Sequence, residues 1–243
     1  MQRKKPNSLI AKWKGAFPHG KDKAVEVEKL PDQDGQQSDG PTLVLIRKQP
    51  VTFQLSRSEN PKDFELMCFV ARVCLKTADR PYRTVIHVEQ TRSGSRLVAT
   101  DGLRLHVAEI SKKIKSGDYK PHVAKDTISL GEAVEGIDFP TWTKVVPDKA
   151  KALKRGVINL EKSGFGRNRK KTENLSIAMH SFVKQTGEAV NVRFLEDLTK
   201  REWMVYSQNE KRKAVVLRQK PTGVGESEDK GPMAVIMPIA VAA

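Results

Sequence analysis

The chain has 243 residues, 38% of them hydrophobic and 30% charged, enough to bury a sizeable core beneath a strongly ionic surface. Lys and Arg total 44 against 29 Asp and Glu, and the formal net charge of +15 points to a polyanionic partner, nucleic acid first. No run approaches the ~20 apolar residues of a membrane span. Arg3, Lys4, Lys5 and Lys12 break the stretch where a secretory signal would be apolar. Cys68 and Cys74 read as small core residues rather than a disulfide or metal pair, and the five histidines show no ligand spacing. The expectation is a reducing, cytoplasmic compartment, no membrane partner, no metal and no cofactor.

Residues 1–40 read as a basic, mostly disordered tail, in which Trp13 and Phe17 are the one candidate docking segment. Leu43 to Ile46 and Val51 to Leu55 read as strands. A helix follows. Asn60 is placed to cap it, Pro61 suits its first turn, and Asp63 lies near its positive end. Phe64, Met67, Cys68, Ala71, Cys74 and Leu75 recur at helical spacing and predict its buried face. Thr84 to Glu89, Arg96 to Thr100 and Leu103 to Ile110 read as three strands. Ser93-Gly94 and Asp101-Gly102 supply the turns between them.

Lys112 to Lys125 reads as a basic loop, and Phe139-Pro140 to Pro147 as a connector. Residues 162–171 form a second basic loop, and its Gly164-x-Gly166 pair lacks the third glycine of a phosphate-binding fingerprint. Leu175 to Val183 reads as a strand. Asn191 is placed to cap a helix with Val192, Leu195 and Leu198 on one face. Trp203 to Ser207, Ala214 to Arg218 and Ala234 to Val241 read as strands, the last two separated by an acidic, Gly-rich loop from Gly223 to Gly231. A strand-helix-three-strand unit therefore occurs twice, an α+β chain with an internal structural repeat.

Three segments carry a family resemblance. Leu97-Val98-Ala99-Thr100-Asp101-Gly102-Leu103-Arg104-Leu105 resembles a hairpin of the bacterial DNA polymerase III beta sliding clamp. Phe139-Pro140-Thr141-Trp142-Thr143-Lys144-Val145-Val146-Pro147 resembles the connector between that family's middle and last domains. Val190 to Leu198, with the ending Ala234-Val235-Ile236-Met237-Pro238-Ile239, resembles its final helix and C-terminal strand. The resemblance implies the DNA-clamp fold, with repeated strand-helix-three-strand units, antiparallel sheets outside and helices on one face. It divides the chain into a tail, residues 1–40, a first clamp-like domain, 41–140, and a second, 141–243.

The same resemblance implies a processivity factor that holds double-stranded DNA through phosphate charge, without reading sequence. It implies a homo-oligomer, a trimer if each chain supplies two domains, with a clamp loader as a further class of partner. It also implies a pocket for linear motifs of DNA polymerase and repair proteins. Carried over by position, that pocket comprises Thr100, Gly102, Arg104, Leu105, Pro140, Lys144, Val145, Val235, Met237, Pro238 and Ile239. Leu103 stands where the family has His, Lys144 where it has Arg, and Arg83 where it has an apolar residue. The chain is also one domain short of that family. A second reading is therefore a clamp-like adaptor that keeps the pocket, does not encircle DNA and competes for clamp partners.

Candidate DNA contacts are Lys62, Arg72, Lys76, Arg193, Lys200 and Arg201, on or beside the two helices, with Arg167, Arg169, Lys170 and Lys171 in the second basic loop. No catalytic residue is nominated. Asp101 has the chemistry of a turn, and Glu196 and Asp197 sit beside Lys200 and Arg201, where surface pairing is the expected role.

Overall fold

A computed structural model of the chain describes residues 51–147, 153–159, 171–198, 202–207, 214–221 and 231–238. The tail, the strand expected at Leu43 to Ile46, and most of the loops at 162–171 and 223–231 lie outside these residues. All the described residues fall within one compact unit that begins at Arg47.

Ten strands form a single antiparallel sheet. They are β1 (Phe53–Ser56), β2 (Ile86–Gln90), β3 (Ser95–Thr100), β4 (Arg104–Ile110), β5 (Gly117–Val123), β6 (Thr127–Ala133), β7 (Leu153–Asn159), β8 (Glu202–Ser207), β9 (Val215–Gln219) and β10 (Met233–Ile236). Their spatial order is β1-β6-β5-β2-β3-β4-β10-β9-β8-β7. A strand, a helical region and three strands do recur, as β1, a helix and β2 to β4, then β7, a helical region and β8 to β10, but the second unit opens on β7 rather than on Leu175 to Val183, and β5 and β6 extend the first. The halves join where β4 pairs with β10, with Leu105 opposite Val235 and His106 opposite Ala234.

Helix α1 (Pro61–Ala71) starts with proline in its first turn, and Phe64 N–H donates to the Asn60 carbonyl at 2.9 Å. The Asn60 side chain makes no capping bond, contrary to expectation. The buried arc is wider than predicted. Leu66, Phe69 and Val70 are buried with Phe64, Met67 and Ala71, whereas Cys74 and Leu75 lie beyond the helix end. Cys68 and Cys74 form no disulfide. The Cys74 thiol donates to the Val85 carbonyl at 3.3 Å, and burial pushes its pKa up to about 12.

Four strand assignments change. Leu175 to Val183 is not a strand but part of helix α2 (Lys171–Thr186). Phe182 and Thr186 are buried and Val183 is exposed, as helical rather than alternating geometry requires. Gly187, at φ 74°, ends the helix and donates its N–H to the Val183 carbonyl at 2.8 Å. The expected loop at Lys112 to Lys125 contains β5, which pairs with β6 as a hairpin. A register shift between Tyr119 and Pro121 accommodates the proline inside the sheet. Strands β6 and β7 have no counterpart in the sequence reading. The second helix is shorter than expected: Asn191 accepts from Arg193 N–H, α3 spans Val192–Leu195, and a 3₁₀ turn continues it over Glu196–Leu198.

Strand alternation gives each face of the sheet its own core. On the helix face, Phe64, Met67, Phe69, Phe182, Phe194 and Leu195 pack against strand residues including Leu97, Ala108, Trp203, Leu217 and Ile236. On the opposite face Val98, Leu105, Val107, Val216, Met233 and Val235 form a smaller cluster, covered by Phe139, Trp142 and Val146 of the connector.

Candidate functional site

The turn from β3 to β4 is wired by its own side chains. Asp101 accepts from the N–H groups of Leu103 and Arg104, both at 2.9 Å, as turn chemistry predicts. Thr100 Oγ1 donates to the Arg104 carbonyl at 2.8 Å and accepts from Gly102 N–H at 3.0 Å. Gly102 has φ 90°, and an added methyl would stand 2.9 Å from the Arg83 guanidinium, so glycine serves both turn and packing there. Just beyond β10, Met237 N–H donates to the Leu103 carbonyl at 2.9 Å, joining the C-terminal segment to this turn.

The structure divides the nominated pocket. Leu105 and Val235 are cross-strand partners, 4% and 2% exposed, and belong to the cluster beneath the connector. Leu103, Val145 and Met237 are 58%, 49% and 39% exposed, three apolar side chains open to solvent. Pro140 and Lys144 are exposed and Pro238 is half-buried, while Ile239 lies outside the described residues. Arg104 goes the other way. One residue from Leu105, it serves the helix face, where its guanidinium lies 4.6 Å over the Phe194 ring and pairs closely with Asp197.

That pairing corrects the expected surface role of Asp197. Its carboxylate is largely buried, and burial pushes its pKa up while Arg104 and Arg72 pull it back. Arg72, a nominated DNA contact, donates to the Asp197 carbonyl oxygen at 3.2 Å. Lys62, Lys76 and Arg193 are exposed, and Lys171 is the first residue of α2. Arg167, Arg169, Lys170, Lys200 and Arg201 lie outside the described residues.

The connector docks through contacts that its sequence did not announce. Phe139 stacks on His87 at 4.7 Å between ring centres, and His87 Nδ1 lies 2.8 Å from Asp118 Oδ1. Trp142 Nε1–H donates to Glu89 at 2.8 Å, and the Arg96 guanidinium sits 5.7 Å from the Trp142 ring centre. Arg96 also bonds Glu89 and Glu109, at 3.2 and 2.7 Å. A cleft of about 360 Å³ opens beside Trp142, Val146, Val107, Glu109, Arg218 and Met233. None of the nominated pocket residues lines it. The signal available in the sequence was the alternation of β2 to β4, which puts His87, Glu89, Arg96 and Glu109 on the connector's side once the registers are known.

Among the described residues, no group of three or more His, Cys, Asp or Glu side chains is arranged to hold a metal ion. No helix among them is long and apolar enough to cross a membrane.

No protein-family model matches the chain, and no curated protein matches its sequence. Solved structures do match its fold. A DNA polymerase sliding clamp from Pseudomonas aeruginosa superposes with a TM-score of 0.51 at 13% identity, over 79% of this chain and 68% of that one. The DNA polymerase III beta subunit from Thermotoga maritima superposes with a TM-score of 0.50 at 14% identity, over 88% of this chain and 70% of that one. The α+β arrangement, a ten-stranded antiparallel sheet with few helices, is that of sliding-clamp domains.

Proposed function

We propose that this chain is a non-catalytic clamp-like factor of DNA replication in the cytoplasm, which binds duplex DNA through its phosphates and docks linear motifs of polymerase and repair proteins. The observation that carries the docking half is the exposed apolar pair Leu103 and Met237 at the β3–β4 turn. Isolated exposed apolar residues are ordinary, but Leu103 and Met237 are tied backbone to backbone. Adaptable Met237 beside Leu103 suits an extended apolar peptide, and the departure from His to Leu at position 103 makes that surface more apolar. The phosphate-binding half is supported by the net charge of +15 and by the clamp fold.

Residues 41–140 and 141–243 then act as two clamp-like units, and three chains would supply a six-unit ring around DNA, delivered by a loader. Fluorescence anisotropy with a labelled clamp-binding peptide tests the docking half. Met237→Ala together with Leu103→Ala should weaken the peptide about tenfold or more and leave duplex DNA affinity unchanged. Unchanged peptide affinity would remove the pocket assignment.

A second reading is favoured by the altered pocket: Lys144 stands where the clamp family has Arg, and Arg83, where it has an apolar residue, packs its guanidinium against Gly102 at the turn. It is an adaptor that docks the same motifs without encircling DNA. Native mass measurement and retention on closed circular DNA separate the two. A trimer that slides off only after the circle is cut supports the ring, and a monomer released from both forms alike supports the adaptor.

A further inference from the structure

The segment joining β4 to β5, Ser111 to Ser116, is a lysine-rich run whose backbone the fold ties down at both ends and in the middle. The Asp63 carboxylate of α1 accepts from Ser111 N–H at 3.2 Å and from its hydroxyl at 2.6 Å. Ile114 is buried in the main core, and its N–H donates to Ser95 Oγ at 2.7 Å. The Tyr119 hydroxyl donates to the Lys115 carbonyl at 2.9 Å, and Ser116 Oγ accepts from Gln90 N–H at 3.2 Å. Between these anchors Lys112, Lys113 and Lys115 are all exposed.

Two more cations flank the run. The turn from β2 to β3 packs so closely that a methyl on Gly94 would stand 2.0 Å from the Ile110 carbonyl oxygen, and that turn carries exposed Arg92. Exposed Lys62 precedes Asp63 in the first turn of α1. The nearby carboxylates are engaged: Asp63 with Ser111, Glu109 with Arg96, Asp118 with His87. Among the described residues, none of these five cations is ion-paired.

We propose that this ridge, centred on Lys112, Lys113 and Lys115 with Arg92 and Lys62 beside it, is a phosphate-contacting surface for duplex DNA. It rests on the DNA-binding half of the function above and goes beyond it, since it puts contacts at a strand end rather than along the helices. An ordinary lysine loop loses much conformational freedom when it engages a ligand. Here the backbone is already fixed, so that cost is smaller. Lysines are point charges without the planar fork that reads base edges, so the contact is sequence-independent. A membrane surface is the poorer fit: Ile114 faces the core, and none of the large exposed apolar residues falls in the ridge.

The test is duplex DNA binding by the full chain, measured by anisotropy from 50 to 250 mM salt. Lys112→Gln/Lys113→Gln/Lys115→Gln should weaken binding at least tenfold at 100 mM salt. It should also flatten the log–log salt slope by about 0.9 per lysine that contacts phosphate. The corresponding triple Lys→Arg variant should bind as the parent does. Lys120→Gln/Lys125→Gln, on exposed positions of the β5–β6 hairpin, should have little effect. Equal loss per lysine in that control, or an unchanged triple Gln variant while the parent binds DNA, overturns the ridge alone. A parent that binds phosphatidylserine vesicles but no DNA overturns both the ridge and the DNA-binding reading beneath it.

Discussion

His106 is fully buried beneath α1. Its ring stacks on Phe69 at 4.1 Å, its Nδ1 lies 2.8 Å from the Phe69 carbonyl oxygen, and its Nε2 has no partner among the described residues. Burial pushes its pKa down to about 3, helped by the Arg104 and Arg72 charges and opposed by the bond to Phe69. The unfolded chain takes up this proton near pH 6.5. Between pH 6.5 and 3 the unfolded state therefore holds more protons than the folded one. The histidine's neutral burial is fully stabilising above pH 6.5 and is undermined as pH falls. At pH 5 the loss from this residue is about 2 kcal/mol. Urea melts at pH 7.5 and pH 5 should show that loss in the parent, and His106→Asn should reduce the difference by about as much. Parallel pH profiles would disprove the assignment.

Arg104 and Asp197 belong to the same scale. Their pair is shielded and further bonded by Asp101 on one side and Arg72 on the other. Removing Arg104 alone strands a buried carboxylate, and Arg104→Leu should cost about 3 kcal/mol in chemical denaturation. Arg104→Leu/Asp197→Leu should recover most of that loss. If the double variant is no better than the single, the pair does not act as a unit.

At the scale of elements, α2 shows why part of the fold was hidden. Leu175, Ile177, Met179 and Val183 fall on alternate positions, the signature of a strand. Met179, Phe182 and Thr186 fall on one helical face, and the structure uses that spacing. The sixteen-residue length and a glycine immediately after its last residue decide for the helix, and both are nonlocal to the apolar pattern. Phe182→Ala should therefore destabilise the protein by about 3 to 4 kcal/mol. Val183→Ala, at an exposed site, should change it by no more than about 0.5 kcal/mol. The reverse ranking in thermal or urea melts would favour the alternating geometry.

Other elements were legible or not for reasons that lie in particular residues. β3 and β4 were readable because Asp101-Gly102 is a turn with a mechanism and the flanking residues are β-branched or aliphatic. β5 was not, because Lys120, Pro121 and His122 disguise a strand whose buried residue is Tyr119. The site was legible by segment and not by face. Thr100 to Leu105 announced a hairpin, yet only strand pairing reveals that Arg104 and Leu105 serve opposite cores. Phe139 and Trp142 have no periodicity to read, since a connector is shaped by what it lies on.

For the whole molecule, the joint between the halves is the controlling feature. β4 and β10 exchange backbone hydrogen bonds across it, and the main core runs beneath it from α1 to β8, with Phe69 and Trp203 rings 5.5 Å apart. Neither half buries its apolar surface alone. Calorimetry should therefore record one cooperative unfolding transition for residues 47 onward, with van't Hoff and calorimetric enthalpies in agreement. Two resolved transitions would show that the halves fold separately.

The order of the strands carries a last consequence. Among the described strands, the sheet ends in β1 on one side and β7 on the other, so it has a head and a tail that differ. An association of head with tail repeats the same rotation at every step, and whether that rotation divides a full turn decides between a closed circle and an endless fibre. β7 carries its own irregularity, a register shift between Lys154 and Gly156. A bulge bends the strand that bears it and steepens its twist. In the ring proposed above, this kink would help set the angle of each step.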